Sequence, residues 1–200
     1  MEKVKEIIKY FSAKLEHRFL SNADFYQLFS LSRQVSAGGR VVEIGAGAGC
    51  SIITMGIGSQ AMNKNIELIT IDPFVWTRQL PPHTIYKELG RDVKKEDILA
   101  RFRENIAHWG LEVILLQETS VSGCRKIGDE SVDLLFIDGN HQYHAVKWDI
   151  LNYRPKVKKG GIFCDHDYQK CHPGVRKVVD EAFDENIFRV LGASSIWVEK

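Results

Sequence analysis

The chain has 200 residues, of which 27 are Lys or Arg and 26 are Asp or Glu, giving a formal net charge of +1. This length can bury one sizeable core, and the balanced charge argues against a dedicated nucleic-acid surface. Four cysteines without C-x-x-C spacing indicate neither a disulfide framework nor a zinc ribbon. The amino terminus is charged and amphipathic, which predicts no signal peptide and no membrane span, and we expect a cytosolic location.

The predicted elements alternate between helices and strands after a helical preface. In chain order, we predict helices at about residues 2–18 and 24–35, a strand at 40–45, a helix at 50–62, a strand at 66–71, a helix at 96–109, strands at 112–116 and 132–138, a helix at 141–155, a strand at 160–165, a helix at 174–184, and strands at 187–191 and 195–199. This order predicts an α/β fold with a doubly wound, mostly parallel sheet of seven strands and helices on both faces. We expect one domain over residues 1–200, with residues 1–38 as an N-terminal helical extension.

The run V-V-E-I-G-A-G-A-G at residues 41–49 joins the first strand to a helix through Gly45, Gly47 and Gly49. Glycines at alternate positions let the backbone turn tightly and approach a ligand closely. A loop of this kind, at the carboxyl end of the first strand of an open α/β sheet, indicates a nucleotide-like cofactor. A dinucleotide-binding loop requires its third glycine at position 50, which is Cys50 in this chain.

The pattern E-x-G-x-G-x-G, which begins at Glu43, resembles motif I of class I S-adenosylmethionine-dependent methyltransferases. Their cofactor carries an ammonium group and no pyrophosphate, so the resemblance implies that the Glu43 carboxylate lies near that ammonium. The residues that the resemblance assigns to the cofactor in this region are Glu43, Gly45, Ala46, Gly47, Gly49 and Ser51. A nicotinamide dinucleotide is the alternative cofactor.

Residues 66–72 form an apolar, β-rich run that ends in Asp72 and is closed by Pro73. An acid at the tip of the second strand, about 20 residues beyond a glycine loop, is placed to accept hydrogen bonds from ribose hydroxyls. We assign Asp72 and Pro73 to the cofactor pocket, although both cofactor classes carry a ribose. The alternative role for Asp72 is a turn cap.

The segment 73–93 joins the second strand to the next helix and contains two consecutive prolines and three aromatic residues. A connection of this length at the ligand-binding edge of a sheet is often functional. We interpret it as a substrate lid, and the alternative is an excursion that packs on the sheet or on a partner.

Thr119 and Ser120 follow the third predicted strand. In the methyltransferases that the glycine loop resembles, this region passes beside the adenine. The resemblance therefore implies that Thr119 and Ser120 contact the adenine, with Glu118 as a further candidate.

The carboxyl half carries three further motifs: L-L-F-I-D-G-N-H-Q-Y-H-A-V-K-W-D at 134–149, K-G-G-I-F-C-D-H-D-Y at 159–168 and P-G-V at 173–175. Together with the glycine loop, they resemble the class I methyltransferase group that includes macrocin O-methyltransferase-like and cephalosporin-biosynthesis-like enzymes. The resemblance covers roughly residues 39–185. It implies a Rossmann-like fold, S-adenosylmethionine as cofactor and a small-molecule methyl acceptor.

Asp138 ends the fourth strand and residues 165–167 end the fifth, so both lie on the cofactor edge of the predicted sheet, and we also assign Asp138 to the cofactor pocket. Oxygen ligands that converge from separate strand ends suit Mg²⁺ or a similar divalent cation, which lowers the pKa of a bound hydroxyl. Metal-dependent O-methyltransferases of the catechol type, which this region resembles, use an Asp-Asn pair after the fifth strand. That pair falls on His166-Asp167 here, so we predict Asp138, His166 and Asp167 as ligands, with Asp165 as the alternative to His166.

His141 is the predicted general base, because an unperturbed histidine has a pKa near neutrality. It lies three residues past Asp138, with which it shares the catalytic assignment, and we expect it to open the next helix. His144 is three residues further on, so an i, i+3 histidine pair of metal ligands is an alternative. Capping or packing roles are the structural alternatives for both histidines.

We therefore predict S-adenosylmethionine-dependent O-methylation of a small-molecule hydroxyl, by in-line displacement at the methyl carbon and with assistance from a divalent metal. N-methylation stays open. The alternatives are a nicotinamide-dependent oxidoreductase and a non-catalytic cofactor-binding protein on the same fold. We expect no nucleic-acid or membrane partner, and the N-terminal helices could pair across a homo-oligomer.

Overall fold

The computed structural model describes residues 1–15, 20–74, 95–168, 172–183, 188–191 and 195–199. Within these ranges the helices are α1 (Glu2–Lys14), α2 (Asn22–Ser32), α3 (Cys50–Gln60), α4 (Lys95–His108), α5 (Ser120–Cys124), α6 (Tyr143–Tyr153) and α7 (Pro173–Ala182). The strands are β1 (Arg40–Ile44), β2 (Glu67–Ile71), β3 (Ile114–Leu116), β4 (Val132–Ile137), β5 (Val157–Asp165), β6 (Phe188–Leu191) and β7 (Ser195–Glu199). None of the described helices has the length and apolar character needed to cross a membrane.

The strands form a sheet with the order β3-β2-β1-β4-β5-β7-β6. The pairs among β1 to β5 are parallel, whereas β7 runs antiparallel to both β5 and β6. The α/β class and the mostly parallel sheet are therefore confirmed. Because β1 is flanked by β2 on one side and β4 on the other, the strand order changes direction next to β1.

Helices cover both faces of the sheet. Successive residues of each central strand point to opposite faces, so each strand contributes to an apolar cluster on either side. On β4, Leu134 and Phe136 join the apolar cluster that contains the buried faces of α1, α2 and α3. Leu135 and Ile137 of the same strand join a second cluster, formed with α6 and α7. All four side chains are buried, as expected for a strand covered on both faces.

Several boundaries differ from the predictions for local reasons. Helix α1 ends at Lys14, before the predicted end at 18, because Leu15 is extended. Helix α6 begins at Tyr143 with Gln142 as its N-cap, so the prediction that His141 opens this helix is wrong. A 3₁₀ helix over Arg154–Lys156 contains a proline and leads into β5 three residues before the predicted start.

One helix was missed, and one prediction falls largely outside the described residues. Helix α5 was not predicted, because five residues are too few to show helical periodicity. The predicted lid over residues 73–93 lies outside the described residues from position 75 onward.

The N-terminal helices pack directly on the sheet domain. A capping box starts α2: the Ser21 hydroxyl accepts a hydrogen bond from Asp24 N at 3.3 Å, and the Asp24 carboxylate accepts one from Ser21 N at 2.8 Å. Further along, α2 approaches α3 so closely that a Cβ on Gly58 would lie 2.2 Å from the Ser32 hydroxyl oxygen and 2.6 Å from the Phe29 carbonyl oxygen. The contact between these two helices therefore requires a glycine at this position.

We predict that Gly58→Ala lowers the free energy of unfolding by about 1–3 kcal/mol, the usual range for overpacking, even though alanine is the better helix former. Gly128→Ala is the matched control, because a Cβ there meets nothing nearer than Ser131 at 3.7 Å. Urea unfolding of both variants measures the difference. Equal stability of the two variants would show that α2 and α3 are not packed as described.

Candidate active site

Four strand ends carry the candidate site, because the parallel register brings them to one edge of the sheet. Ile44 of β1 is paired with Ile71 of β2 on one side and with Ile137 of β4 on the other, and Ile137 is paired with Asp165 of β5. The residues that follow these four strands are Gly45, Asp72, Asp138 and His166. Open α/β sheets bind ligands at this kind of edge, where the strand order changes direction.

The glycine loop passes close to the end of β4. Gly45 has a φ of 93°, and a Cβ there would lie 2.1 Å from the Asp138 carbonyl oxygen. Gly47 and Gly49 also have positive φ, at 47° and 87°, and Gly49 is the N-cap of α3. A Cβ on Gly47 would meet no atom within 4 Å, so the loop leaves open space beside its centre. Glycine is thus required by backbone conformation at these positions and by contact with β4 at Gly45.

Asp72 ties the glycine loop to the end of β2. One carboxylate oxygen accepts hydrogen bonds from Ala46 N at 2.8 Å and Gly47 N at 3.2 Å, and the other accepts one from Phe74 N at 2.6 Å. A carboxylate can accept about four hydrogen bonds, so Asp72 retains capacity for one more donor. Asp72 lies where it was predicted, beside half-buried Pro73, and it also caps the turn that follows β2.

Glu43 lies beneath the loop and is completely buried. Its carboxyl oxygens accept hydrogen bonds from the hydroxyls of Ser51 and Thr70, the latter at 2.6 Å. Burial raises the pKa of Glu43 to about 8, and the nearby charges of Asp138 and Asp72 act in the same direction. Glu43 and Ser51 are turned to each other and brace the loop against β2, and their contact with the cofactor stays a prediction.

The predicted adenine residues lie at the end of β3. The Thr119 hydroxyl accepts a hydrogen bond from Ser122 N at 3.2 Å as the N-cap of α5, and the Ser120 carbonyl accepts one from the Tyr153 hydroxyl at 2.6 Å. Glu118 pairs with Lys126. All three residues therefore follow β3, as predicted, and each also has a local structural partner.

Asp149 of α6 was not singled out from the sequence. Its side chain is buried, one carboxyl oxygen has no hydrogen-bond partner among the described residues, and the other lies 3.9 Å from where a Cβ on Gly139 would be. Burial raises the pKa of Asp149 to about 6, against the opposing effect of a hydrogen bond with Ser120. Asp149 is the last residue of the motif at 134–149, but it follows no strand and the motif assigned it no role.

The predicted catalytic and metal-binding residues meet in one cluster. His141 Nε2 lies 2.7 Å from an Asp167 carboxylate oxygen and 3.6 Å from an Asp138 oxygen. His166 Nδ1 lies 3.4 Å from the same Asp138 oxygen and 3.2 Å from the same Asp167 oxygen. Asp167 has a φ of 64°, an uncommon conformation for a non-glycine residue, which is typical of residues held at functional sites.

Two residues that the sequence analysis did not assign complete this cluster. Asp24 of α2 lies behind His166, with a carboxylate oxygen 3.5 Å from His166 Nε2, and His172 Nε2 lies 3.6 Å from the second oxygen of Asp167. In the sequence, Ser21 and Asp24 have the spacing of a capping box, which indicates the start of a helix but does not indicate that Asp24 lies at the site. By contrast, the alternative ligand His144 is exposed and packs edge-on against Tyr143, away from this cluster.

The charges of the cluster differ from the expectation. Burial alone would lower the pKa of His141, but Asp138 and Asp167 raise it to about 10. Burial alone would raise the pKa of Asp167, but His141 and His166 hold it well below its ordinary value. Asp165 is buried and its pKa is raised by that burial, and its side chain does not belong to the set of donor atoms formed by Asp138, His166 and Asp167.

Comparison with known proteins places this geometry in a family. A family profile described as a methyltransferase domain matches residues 42–168. The uncharacterized protein R132 of Acanthamoeba polyphaga mimivirus is 31% identical over 147 residues, which are 69% of this chain and 58% of that protein. A second relative, the uncharacterized protein y4gI of Sinorhizobium fredii, is 43% identical over 53 residues, which are 26% of this chain and 6% of that protein. The chain therefore spans only part of the length of these relatives.

Solved structures with a similar fold have low sequence identity to this chain. The O-methyltransferase NovP has a TM-score of 0.71 at 17% identity, over 92% of this chain and 82% of NovP. An O-methyltransferase from Bacillus cereus, in complex with SAH, has a TM-score of 0.61 at 15% identity, over 100% of this chain and 91% of that one. These similarities confirm the Rossmann-like methyltransferase fold.

We predict that Glu43→Gln makes the stability of the chain less dependent on pH between about 4.5 and 8. Because the folded-state pKa of about 8 lies above the ordinary value of 4.5, folded protein holds a proton between these pH values that unfolded protein has lost. Wild-type stability should therefore fall as the pH rises through this range, by at most about 1.4 kcal/mol for each pH unit between the two pKa values. Urea unfolding at several pH values should show that Glu43→Gln lacks this loss.

Exposed Glu112 offers the matched control. Glu112→Gln should retain the wild-type dependence of stability on pH. If Glu43→Gln retained it as well, Glu43 would be ionised in the folded protein at neutral pH.

Proposed function

This chain belongs to the methyltransferase domain family, and from that premise we propose that it transfers a methyl group from S-adenosylmethionine to a hydroxyl of a small molecule. One observation carries the proposal. The glycine loop, Asp72 and the cluster around Asp138 and His141 emerge side by side at the edge of the sheet where such folds bind ligands. A cofactor site and a cluster capable of acid–base chemistry are thus adjacent.

The proposed cofactor position follows from the groups that remain available. The ribose lies at Asp72, which retains one acceptor position, and the methionine part lies along the open side of Gly47. The adenine lies toward Thr119 and Ser120 at the end of β3. Glu43 supports this site from below through Ser51 and Thr70.

The proposed reaction is an in-line displacement. The acceptor oxygen attacks the methyl carbon, the carbon–sulfur bond breaks with its electron pair staying on sulfur, and the hydroxyl proton passes to the imidazole of His141. Correct alignment of the reacting atoms contributes most, since positioning is worth on the order of 7–11 kcal/mol. His141 is held for this role between Asp138 and Asp167, but it must first be neutral, and the two aspartates oppose this.

The donor atoms of the cluster fit the predicted metal in position but only partly in chemistry. Asp138, His166 and Asp167 each offer a ligand atom, and these atoms lie within 4.8 Å of one another, which fits a divalent cation. The nitrogen of His166 is a poor match to Mg²⁺, which takes oxygen ligands. A suitable cation bound to these residues would supply a Lewis acid for the acceptor oxygen and would reduce the effect of the two aspartates on His141.

Other features of the proposal concern the rest of the chain. We propose that residues 1–200 act as one domain on a small-molecule acceptor. Four points stay predictions: the class of acceptor, the choice between O- and N-methylation, a cytosolic location and the oligomeric state. The apolar residues Val4, Ile7 and Phe11 of α1 are buried within the chain. Pairing of two copies through α1 would therefore need another face of that helix.

We predict that S-adenosylmethionine and S-adenosylhomocysteine bind with micromolar affinity in a calorimetric titration. Asp72→Ala should weaken this binding at least tenfold, because it removes the ribose acceptor and releases Ala46 and Gly47 of the loop. Asp129→Ala is the control, since Asp129 is 74% exposed and pairs only with Lys156 among the described residues. Absence of binding by the wild-type chain would contradict the proposal, and titration with NADH would then test the nicotinamide alternative.

We also predict that His141→Ala lowers kcat by about 10²–10⁴-fold, the usual contribution of a general base, and leaves binding of S-adenosylhomocysteine unchanged. His144→Ala is the matched control, because His144 is an exposed neighbour outside the cluster. Transfer of a radiolabelled methyl group to a panel of catechols, sugars and phenols provides the rate. Full activity of His141→Ala with an acceptor from this panel would remove His141 from the mechanism.

A further inference from the structure

His166 is held from behind by a residue of the N-terminal helices. His166 is 4% exposed and Asp24 is 0% exposed, and Asp24 reaches His166 Nε2 from the first turn of α2. An ionised carboxylate inside a protein needs a partner, and the His166 ring is placed to be the partner of Asp24.

The opposite nitrogen of the same ring points to the cluster. His166 Nδ1 lies 3.4 Å from an Asp138 oxygen and 3.2 Å from an Asp167 oxygen. Two ligand atoms that each lie about 2.1 Å from a metal ion are roughly 3.0–3.5 Å apart at the usual bond angles of about 90–110°. The distances from His166 Nδ1 to the two aspartates therefore match those between ligands of one bound cation.

The arrangement of Asp24, His166 and the two aspartates is that of a histidine ligand with an outer carboxylate. Histidines that bind metals usually donate their other ring N–H to a carboxylate, which fixes the tautomer and raises the basicity of the coordinating nitrogen. Imidazole nitrogen suits cobalt, nickel and zinc far better than magnesium, which prefers oxygen ligands. The identity of residue 166 thus decides which class of cation the site selects.

We propose that Asp138, His166 and Asp167 bind a divalent transition-metal cation in preference to Mg²⁺, and that Asp24 is the positioning residue that directs His166 Nδ1 to this cation. The N-terminal helices thereby become part of the active site instead of an appendage to it. This inference extends the proposed function, but its test needs no S-adenosylmethionine. Failure of metal binding and failure of methyl transfer are therefore separate outcomes.

The first experiment uses the whole chain after removal of metals with a chelator. Calorimetric titrations with CoCl₂, MnCl₂, ZnCl₂ and MgCl₂ compare the cations, and the visible absorption of bound Co²⁺ reports its ligands. We expect Co²⁺ and Zn²⁺ to bind at least tenfold more tightly than Mg²⁺. Equal or tighter binding of Mg²⁺, or no binding of any of these cations, would overturn the proposal.

Variants test the role of each residue. Asp24→Asn keeps a side-chain oxygen that can accept the hydrogen bond from Ser21 N. We expect this variant to weaken Co²⁺ binding about 10–100-fold, which is the usual effect of losing an outer carboxylate. It should also shift the Co²⁺ absorption. His166→Gln leaves the capping box of α2 unchanged and should abolish the absorption, which keeps the test available if Asp24→Asn does not fold. The double variant Asp24→Asn with His166→Asp avoids a new pair of buried carboxylates and should reverse the preference toward Mg²⁺.

Two histidines control for a different site. His144→Ala should leave Co²⁺ binding unchanged, since His144 is exposed outside the cluster. His172 shares Asp167 with His141 in a second set of donors that also lie within 4.8 Å of one another. If His172→Ala abolished Co²⁺ binding and His166→Gln did not, the cation would be held by that second set and the assignment of His166 and Asp24 would be wrong.

Discussion

The passage of Gly45 against the backbone of Asp138 is the constraint on which the site depends. With a φ of 93° and a Cβ position 2.1 Å from the Asp138 carbonyl oxygen, no other residue fits there without displacing β4 or the loop. The hydrogen bond from Asp138 N to Ile44 O, at 2.8 Å, continues the β1–β4 ladder up to this contact. The glycine loop and the acidic end of β4 are consequently fixed relative to each other, so the proposed cofactor and the catalytic cluster share one rigid edge.

Buried polar groups hold this edge from both sides. Glu43 links α3 to β2 through Ser51 and Thr70, and its raised pKa keeps it neutral, so the link avoids a buried charge. Asp24 acts in the opposite way: it is buried and charged, and His166 stabilises it. The first network shapes the loop, and the second connects the N-terminal helices to the ends of β4 and β5.

The fold and the row of strand-end residues could be predicted because both follow from local pattern. Alternating apolar runs locate the strands, and the residue after each parallel strand must lie at the same edge, which placed Asp72, Asp138 and His166 correctly. Asp24, His172 and Asp149 could not be found in this way, because Asp24 and Asp149 lie on helices, His172 precedes one, and all three reach their positions through tertiary packing. The raised pKa values of Glu43 and His141 could not be predicted for a related reason, since burial and neighbouring carboxylates set them and neither is visible in a motif.

The central claim is that the glycine loop and Asp72 hold the cofactor with its reactive sulfur turned to the cluster at β4 and β5. A crystal structure of the chain with S-adenosylhomocysteine tests this most directly. Our account predicts ribose hydroxyls within hydrogen-bond distance of Asp72 and a thioether sulfur that faces Asp138 and His141. A nucleoside bound away from the loop, or a sulfur turned away from those two residues, would contradict it.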